Sequence, residues 1–354
     1  MSRFFSEKFA GLTPYTPGEQ PQDRQYLKLN TNESPFPPSP KAQEASRKAA
    51  EVLQLYSDPD CRLLRQKAAA AFGVKEDEVL FTNGSDEGLN FAFMAFCDQT
   101  HPAVFPDITY GFYKVFARLN GVPYEEIPLD DAFRVRVSDY CGVHKTVFLA
   151  NPNAPTGLTI EKSEIEQILK TNPHSVVVID EAYVDFGGES CVELIHRYDN
   201  LLVAQTFSKS RSLAGARLGM CFGQKSLIDD LNTIRFSTNP YNVNRMTMAA
   251  GVGSLEDAAY CRRNCREIMR VRKETAEALK RMGFYLTDSR ANFLFARHPR
   301  VSGEALYRAL KEKGVLVRHF NEPRLCEFNR VTVGNAEQMH TFLSILKTVL
   351  EECL

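Results

Sequence analysis

Six short runs rich in β-branched and aromatic residues punctuate this chain, at Val79–Thr82, Ala103–Phe105, Thr146–Ala150, Val176–Asp180, Leu201–Thr206 and Met220–Gly223. Most are separated by stretches long enough to hold a helix. Runs that are apolar along their whole length, rather than at alternate residues, belong to strands buried on both faces. The alternation predicts an α/β fold, a large domain with a mostly parallel sheet covered by helices on both faces. In such a sheet, ligands bind beyond the carboxyl ends of the strands. Those ends are therefore where chemistry is to be sought.

Ahead of the first run, Pro14, Pro17, Pro21, Pro35, Pro37, Pro38 and Pro40 forbid a long helix before residue 41, and the arm they form must lie on another surface. Helical patterns follow from Lys41 to about Gln54 and from Leu63 to Phe72, the second ending at Gly73. After about Ala250 the rhythm changes. One helical pattern runs from Leu255 to Met282 and stops at Gly283. Short strands at Phe293–Ala296, Val315–Arg318 and Arg330–Val333 then alternate with helices at Gly303–Lys313 and Asn335–Glu352, the last opened by the capping-box pair Asn335 and Gln338. The chain reads as an arm over residues 1–40 that joins the small domain, a large domain over 41–249, and a smaller α+β domain over 250–354.

Lys and Arg number 43 against 44 Asp and Glu, so no global positive field exists to hold a nucleic acid or an anionic membrane. The longest apolar stretches, Leu89–Cys97 and Ser175–Ile179, fall far short of the roughly 20 residues that span a bilayer. Met1–Pro14 has no continuous apolar core of the kind a secretion signal needs, and a cytoplasmic protein is expected. The nine cysteines include no C-x-x-C pair and read as small buried side chains; Cys261 and Cys265 would share a helix face with no further ligand beside them. The basic stretch Cys261–Arg281 reads as a solvated helix face.

Four strand ends are unusual. After Val79–Phe81 come Thr82-Asn83-Gly84-Ser85-Asp86-Glu87-Gly88 and an apolar helical run. A strand that turns directly into a helix offers free N–H groups and a dipole that favour an anion such as phosphate; the plainer alternative is that Ser85 or Asp86 caps the helix. Neither the G-x-G-x-x-G nor the G-x-x-x-x-G-K-[ST] spacing is present, so dinucleotide and P-loop readings lose their support. After Ala150 comes the polar turn Asn151-Pro152-Asn153-Ala154-Pro155-Thr156-Gly157. After Ile179 comes Asp180-Glu181-Ala182-Tyr183, a carboxylate at the end of a buried strand, which is costly unless it meets a cation or a donor. After Thr206 come Ser208-Lys209-Ser210 and Leu213-Ala214-Gly215-Ala216-Arg217-Leu218-Gly219. A lysine after a buried strand, near a carboxylate and a phosphate cradle, is a candidate Schiff-base nucleophile.

This series resembles the fold-type I pyridoxal-phosphate-dependent aminotransferases, with an aspartate-aminotransferase-like fold, and more narrowly the histidinol-phosphate aminotransferase family. The resemblance runs from Pro14-Tyr15 through Leu29-Asn30-Thr31-Asn32-Glu33-Ser34-Pro35 and the strand ends to Arg330-Val331-Thr332-Val333-Gly334. It implies pyridoxal 5'-phosphate as cofactor, Lys209 as the lysine that carries it, Asp180 as partner of the protonated ring nitrogen and Tyr183 as donor to the ring hydroxyl oxygen. Tyr110 would stack on the ring, and Ser85, Asp86, Ser208 and Arg217 would surround the phosphate. Tyr56 would reach the phosphate of the neighbouring subunit of a homodimer. Arg330, assisted by Arg318 and Tyr15, would grip the anionic group of a small-molecule substrate. There is one departure: the family usually has asparagine immediately before Pro-Thr-Gly, where it meets the ring hydroxyl, and this chain has Ala154. Asn153, one residue earlier, is the candidate replacement. The implied reaction moves an amino group from histidinol phosphate to 2-oxoglutarate, giving glutamate. Rivals on the same fold are an aromatic or broad-range aminotransferase and a threonine-phosphate decarboxylase; a non-catalytic cofactor-binding protein is the rival from another class.

Overall fold

Read from the amino end, the computed structural model describes residues 2–354 and opens with the arm, whose strand β1 is Leu27–Lys28. Helices α1 (Pro40–Ala50) and α2 (Arg62–Phe72) follow. The large unit continues with β2 (Val79–Thr82), α3 (Ser85–Phe96), β3 (Ala103–Pro106), α4 (Phe112–Asn120), β4 (Tyr124–Ile127), β5 (Thr146–Ala150), α5 (Lys162–Thr171), β6 (Val177–Asp180), β7 (Leu201–Thr206), β8 (Gly219–Phe222) and α6 (Lys225–Thr238). The seven strands form one sheet in the order β2-β8-β7-β6-β5-β3-β4. All run parallel except β8, which lies antiparallel between β2 and β7.

Alternation along the strands divides the core in two. Val177 and Ile179 face one layer, with Val147, Val203, Ile165 of α5 and Leu64 of α2. Val178 faces the other, with Phe148, Leu202, Phe93 of α3 and Tyr113 of α4. Burial on both faces explains why these strands are apolar throughout. Edge strand β4 had no such signal: Tyr-Glu-Glu-Ile is half-exposed, and its glutamates meet Lys145 and Lys114. Charge on an edge strand also discourages pairing with other chains.

The helix expected over 255–282 is α8 (Ala258–Arg281), and a further helix, α7 (Arg245–Glu256), precedes it. The helical path breaks at Asp257, where φ −116° and ψ 41° leave the helical region. Helix α7 is capped by Asn244, whose side chain accepts the Thr247 N–H. Its Ala250 and Leu255 pack in the same core as Ala42 and Leu64 of the large unit. A helix therefore runs straight across residue 249, and we propose Asp257 as the boundary between the two units.

Beyond it come β9 (Tyr285–Leu286), β10 (Phe293–Arg297), α9 (Gly303–Glu312), β11 (Val315–Leu316), β12 (Arg318–His319), β13 (Asn329–Thr332) and α10 (Ala336–Cys353). Strands β12-β13-β10-β9 make an antiparallel sheet. The expected run Val315–Arg318 is split, because β11 pairs instead with β1 of the arm. The arm thus finds its surface on the C-terminal unit, and Leu29 joins the core formed by α8, α9 and α10. Asn335 and Gln338 close a reciprocal capping box at the start of α10.

The small residues of α7 allow a close helix crossing: a Cβ on Gly253 would lie 2.5 Å from the Lys41 carbonyl oxygen of α1. In an open helix Gly→Ala gains about 1 kcal/mol, whereas forcing backbones apart costs about 1–3 kcal/mol. Gly253→Ala should therefore lower the thermal midpoint by a few degrees, and a raised midpoint would show that α1 can move aside.

Candidate active site

Beyond the carboxyl ends of β5, β6 and β7 lies a cavity of about 320 Å³. Ser85, Asp86, Tyr110, Asp180, Tyr183, Ser208, Lys209 and Arg217 all line it, brought together from loops far apart in sequence. The adjacency of β6 and β7 sets Asp180 and Lys209 on neighbouring strand ends.

At one end the cavity is built for an anion. Helix α3 begins at Ser85 without a capping side chain, so its first N–H groups stay available. Arg217 donates to Asp86 Oδ2 at 3.0 Å and to Ser208 Oγ at 3.4 Å. Glycine makes this cradle possible. A Cβ on Gly84, whose φ is +78°, would lie 2.5 Å from Arg217 Nη2, and one on Gly219 would lie 2.3 Å from the Ser85 nitrogen. Asp86 also accepts the Tyr110 hydroxyl at 2.6 Å. Burial and that carboxylate push the Tyr110 phenol well above its ordinary range.

At the other end stands Asp180, buried on the central strand β6. Its Oδ2 accepts the hydroxyl of Tyr113 at 3.0 Å and its Oδ1 accepts the Ala182 N–H at 3.1 Å. Burial pushes the carboxyl from 3.8 up to about 6 despite these donors. A cation placed against it from the cavity would reverse that shift. Tyr113 was missed in the sequence. It sits three residues beyond Tyr110, on the buried face of the amphipathic α4, and that spacing is its one signal. The next residue, Glu181, serves the frame: Cys191 N–H, Ser190 Oγ and Gln205 Nε2 all donate to it.

Lys209 reaches across the cavity, its Nζ donating to the Thr31 carbonyl oxygen of the arm at 3.3 Å and lying 5.8 Å from the centre of the Tyr183 ring. Tyr183 stands edge-on to Phe293, and its hydroxyl oxygen accepts the side-chain N–H of Asn32 at 2.9 Å. Asn153, the candidate for the ring-oxygen contact, lines neither this cavity nor the one beside it. Asn153 Oδ1 accepts from Thr109 Oγ1 at 2.8 Å, and its Nδ2 donates to the Ile108 carbonyl at 2.9 Å. Both ends of the amide are consumed in holding the turn, and it is Ala154 and Pro152 that face the cavity. Neighbouring side chains in a tight turn point in different directions, so an asparagine one position early could not swing in.

A second, wider cavity of about 730 Å³ shares Tyr110, Tyr183 and Lys209 with the first and extends to Tyr15, Arg318 and Arg330. Tyr15 stacks on Phe112 with ring centres 4.2 Å apart. Arg318 and Arg330 are direct cross-strand neighbours on β12 and β13. The Nε of Arg330 is sealed from water without a partner, and burial, with Arg318 beside it, pulls its guanidinium below the ordinary range. Two adjoining guanidinium groups without a carboxylate partner among the described residues favour an incoming anion. Tyr56 and Asn153 are the expected residues that stand outside both cavities; Tyr56 is 79% exposed and stacks on Tyr241.

A family model for class I and II aminotransferases matches residues 24–346. The chain belongs to this family and is a transaminase. A histidinol-phosphate aminotransferase of Bradyrhizobium diazoefficiens is 46% identical over 99% of this chain and 100% of its own length. One from Acinetobacter baylyi is 46% identical over 98% of this chain and 97% of its own. The crystal structure of histidinol-phosphate aminotransferase from Sinorhizobium meliloti in complex with pyridoxal-5'-phosphate superposes with a TM-score of 0.90 at 22% identity, over 100% of this chain and 99% of that one. The fold is that of the type I aminotransferases. Among the described residues no helix is long and apolar enough to cross a membrane, and no cluster of His, Cys, Asp and Glu is placed to hold a metal ion.

The raised pKa of Asp180 has a measurable cost. The folded protein binds this proton more tightly than the unfolded chain, so the contribution to stability is complete below pH 3.8 and is lost as the pH rises through about 6. The shift corresponds to about 3 kcal/mol. Asp180→Asn keeps the volume and carries no charge; its oxygen can accept the Ala182 N–H while its NH2 donates to the Tyr113 hydroxyl oxygen, so at pH 8 the cofactor-free variant should be more stable than the parent by about 2–3 kcal/mol in denaturant unfolding. The gap should close toward pH 4, and equal stabilities at pH 8 would contradict this account.

Proposed function

We propose that this transaminase holds pyridoxal 5'-phosphate in the smaller cavity and transfers an amino group from histidinol phosphate to 2-oxoglutarate. When bound, the cofactor supplies a sink for the electron pair released at the substrate Cα. The residues present fit it: the uncapped start of α3, the Ser208 hydroxyl and Arg217 would hold the phosphate, and Asp180 would face the ring nitrogen. Asp180 would keep a proton on that nitrogen, and Tyr183 would direct its hydroxyl at the ring oxygen. Tyr110 would lie against the ring while its own hydroxyl stays tied to Asp86. Lys209 would carry the cofactor and, once displaced, move the proton at the substrate Cα.

The observation that carries the substrate assignment is the Arg318 and Arg330 pair at the far end of the wider cavity. Two guanidinium groups side by side suit a phosphate, and the same pair can take the distal carboxylate of glutamate when the second half-reaction runs. Purified enzyme supplied separately with histidinol phosphate, phenylalanine and threonine phosphate should turn over the first fastest with 2-oxoglutarate. Release of carbon dioxide from threonine phosphate would overturn the assignment. Arg330→Gln should lower kcat/KM for histidinol phosphate by roughly 100-fold, as loss of a buried charge-assisted pair implies.

The functional unit we propose is a homodimer in the cytoplasm, each site borrowing Tyr56 from its partner. All nine cysteines are free thiols, as a reducing compartment keeps them. The segments that hold Tyr56 and Tyr241 also expose Leu53, Leu55 and Phe236. A two-fold contact lets one loop serve both sites reciprocally. Lys209→Ala and Tyr56→Phe should each be impaired, the first by several orders of magnitude with its fold intact. In mixed dimers one site holds both defects and the other neither, so activity should return in part. A fully active monomer by sedimentation would end the shared-site reading.

A further inference from the structure

The hydroxyl of Tyr183 is held by a chain of hydrogen bonds from the arm and the C-terminal unit, and the direction of each bond is determined. Thr332 Oγ1 accepts the backbone N–H of Asn32 at 2.9 Å. Thr332 is buried, and the acceptor that its own proton meets is Asn32 Oδ1, 3.1 Å away. That sets the amide of Asn32: oxygen toward Thr332, nitrogen toward Tyr183, to which it donates at 2.9 Å. Asn292 donates to the Asn32 carbonyl oxygen at 2.9 Å and fixes the backbone. Asn32 is itself buried and sits at φ +56°, a left-handed conformation that asparagine tolerates better than most residues.

The consequence lies at the phenol. Its oxygen already accepts from Asn32, so its proton is free to point into the cavity, where Ala154 offers no polar atom and Asn153 faces away. We propose that Asn32 is a positioning residue that makes Tyr183 a committed donor into the cavity, so that the arm supplies, through Tyr183, the polarity that Ala154 lacks. This rests on the reading that pyridoxal phosphate occupies the cavity with its ring oxygen against Tyr183. The charged groups that face Tyr183 are Lys209, across its ring, and Arg330. Neither can accept a proton from the phenol while charged, so neither competes with an acceptor in the cavity.

A donor to an oxygen stabilises its anionic form, so weakening this donor should raise the pH at which the bound cofactor loses its proton. The test is a pH titration of the visible absorbance of the holoenzyme. Asn32→Gly removes the side chain and tolerates the positive φ; Asn32→Asp keeps the shape but presents an acceptor where the donor was, turning the phenol proton away from the cavity. The midpoint should rise by roughly half a unit to one unit in the glycine variant and by more in the aspartate variant, as the loss of one link in a polarised network implies. In a Tyr183→Phe background the glycine change should not move the midpoint further, and the aspartate change should move it only by the field of its own charge. Thermal unfolding of the cofactor-free proteins checks that the variants fold. An unmoved midpoint in a folded glycine variant, or equal shifts with and without the Tyr183 hydroxyl, would overturn the proposal. Failure of the underlying cofactor assignment would look different: the parent protein would show no visible band at all.

Discussion

A carboxylate buried at the end of the central strand constrains everything around it. Asp180 closes β6, which is apolar and inaccessible over its other three residues, and the main chain beside it is already paired with β5 and β7. Water cannot solvate the charge, so the cavity must supply donors or a cation. Tyr113 and the Ala182 N–H meet two of its lone pairs, and the rest face the cavity. A site that binds a cationic ring relieves this cost, and an empty one bears it. On the proposed function, the group that would keep the ring nitrogen protonated is thus also the group that makes the free protein less stable above neutral pH.

The two units contribute different things to the cavity. Parallel strands and the start of α3 supply the anion cradle, Asp180 and Lys209, all on elements packed into the two large core layers. The arm and the C-terminal unit supply a lid of polar contacts: Thr31 to Lys209, Asn32 to Tyr183, and the paired arginines. The two are sewn together away from the chemistry as well. Thr287 Oγ1 donates to the Thr156 carbonyl at 2.6 Å and the Arg290 N–H to that of Gly157 at 2.7 Å, fixing the turn that carries Ala154. With this turn anchored on both sides and the amide of Asn153 spent within it, the polarity of this side of the cavity depends on Tyr183 and whatever orients it.

What could be read from the sequence is what burial writes locally. Runs such as Val177–Ile179 announce their strands because both faces need apolar groups, and the polar residues that end them stand out against that background. Lys209 and Asp180 were legible for this reason, whereas Tyr183 and Arg217 were named through the family resemblance. Strand β4 was not, since an edge strand needs no apolar run. Helix α7 was not read, and with it the boundary at Asp257, which shows only in the packing of α7 and α8 on different units. Tyr113 and Asn32 were invisible for a further reason: their roles exist only through partners 67 and 151 positions away. A hydrogen bond at such a distance in sequence leaves no periodic or local signal.

The stretch Ala214-Gly215-Ala216-Arg217-Leu218-Gly219 shows how a motif that reads as chemistry can be spacing in physical terms. Arg217 takes a left-handed conformation at φ +56°, which turns its guanidinium back toward Ser208 and Asp86 while the chain enters β8. Strand β8 then runs against its neighbours, with Gly219 paired to both Thr82 and Thr206 at the strand ends. That register brings the backbone of Gly219 against the first peptide of α3, at a separation that excludes any side chain. The one antiparallel strand in the sheet is therefore what lets a loop after β7 and a helix after β2 converge on one end of the cavity. The arginine supplies the charge, but the glycine sets where that charge can act. A side chain at residue 219 would push α3 and β8 apart and open the cradle, drawing Asp86 of α3 away from Arg217 without removing a single charged group.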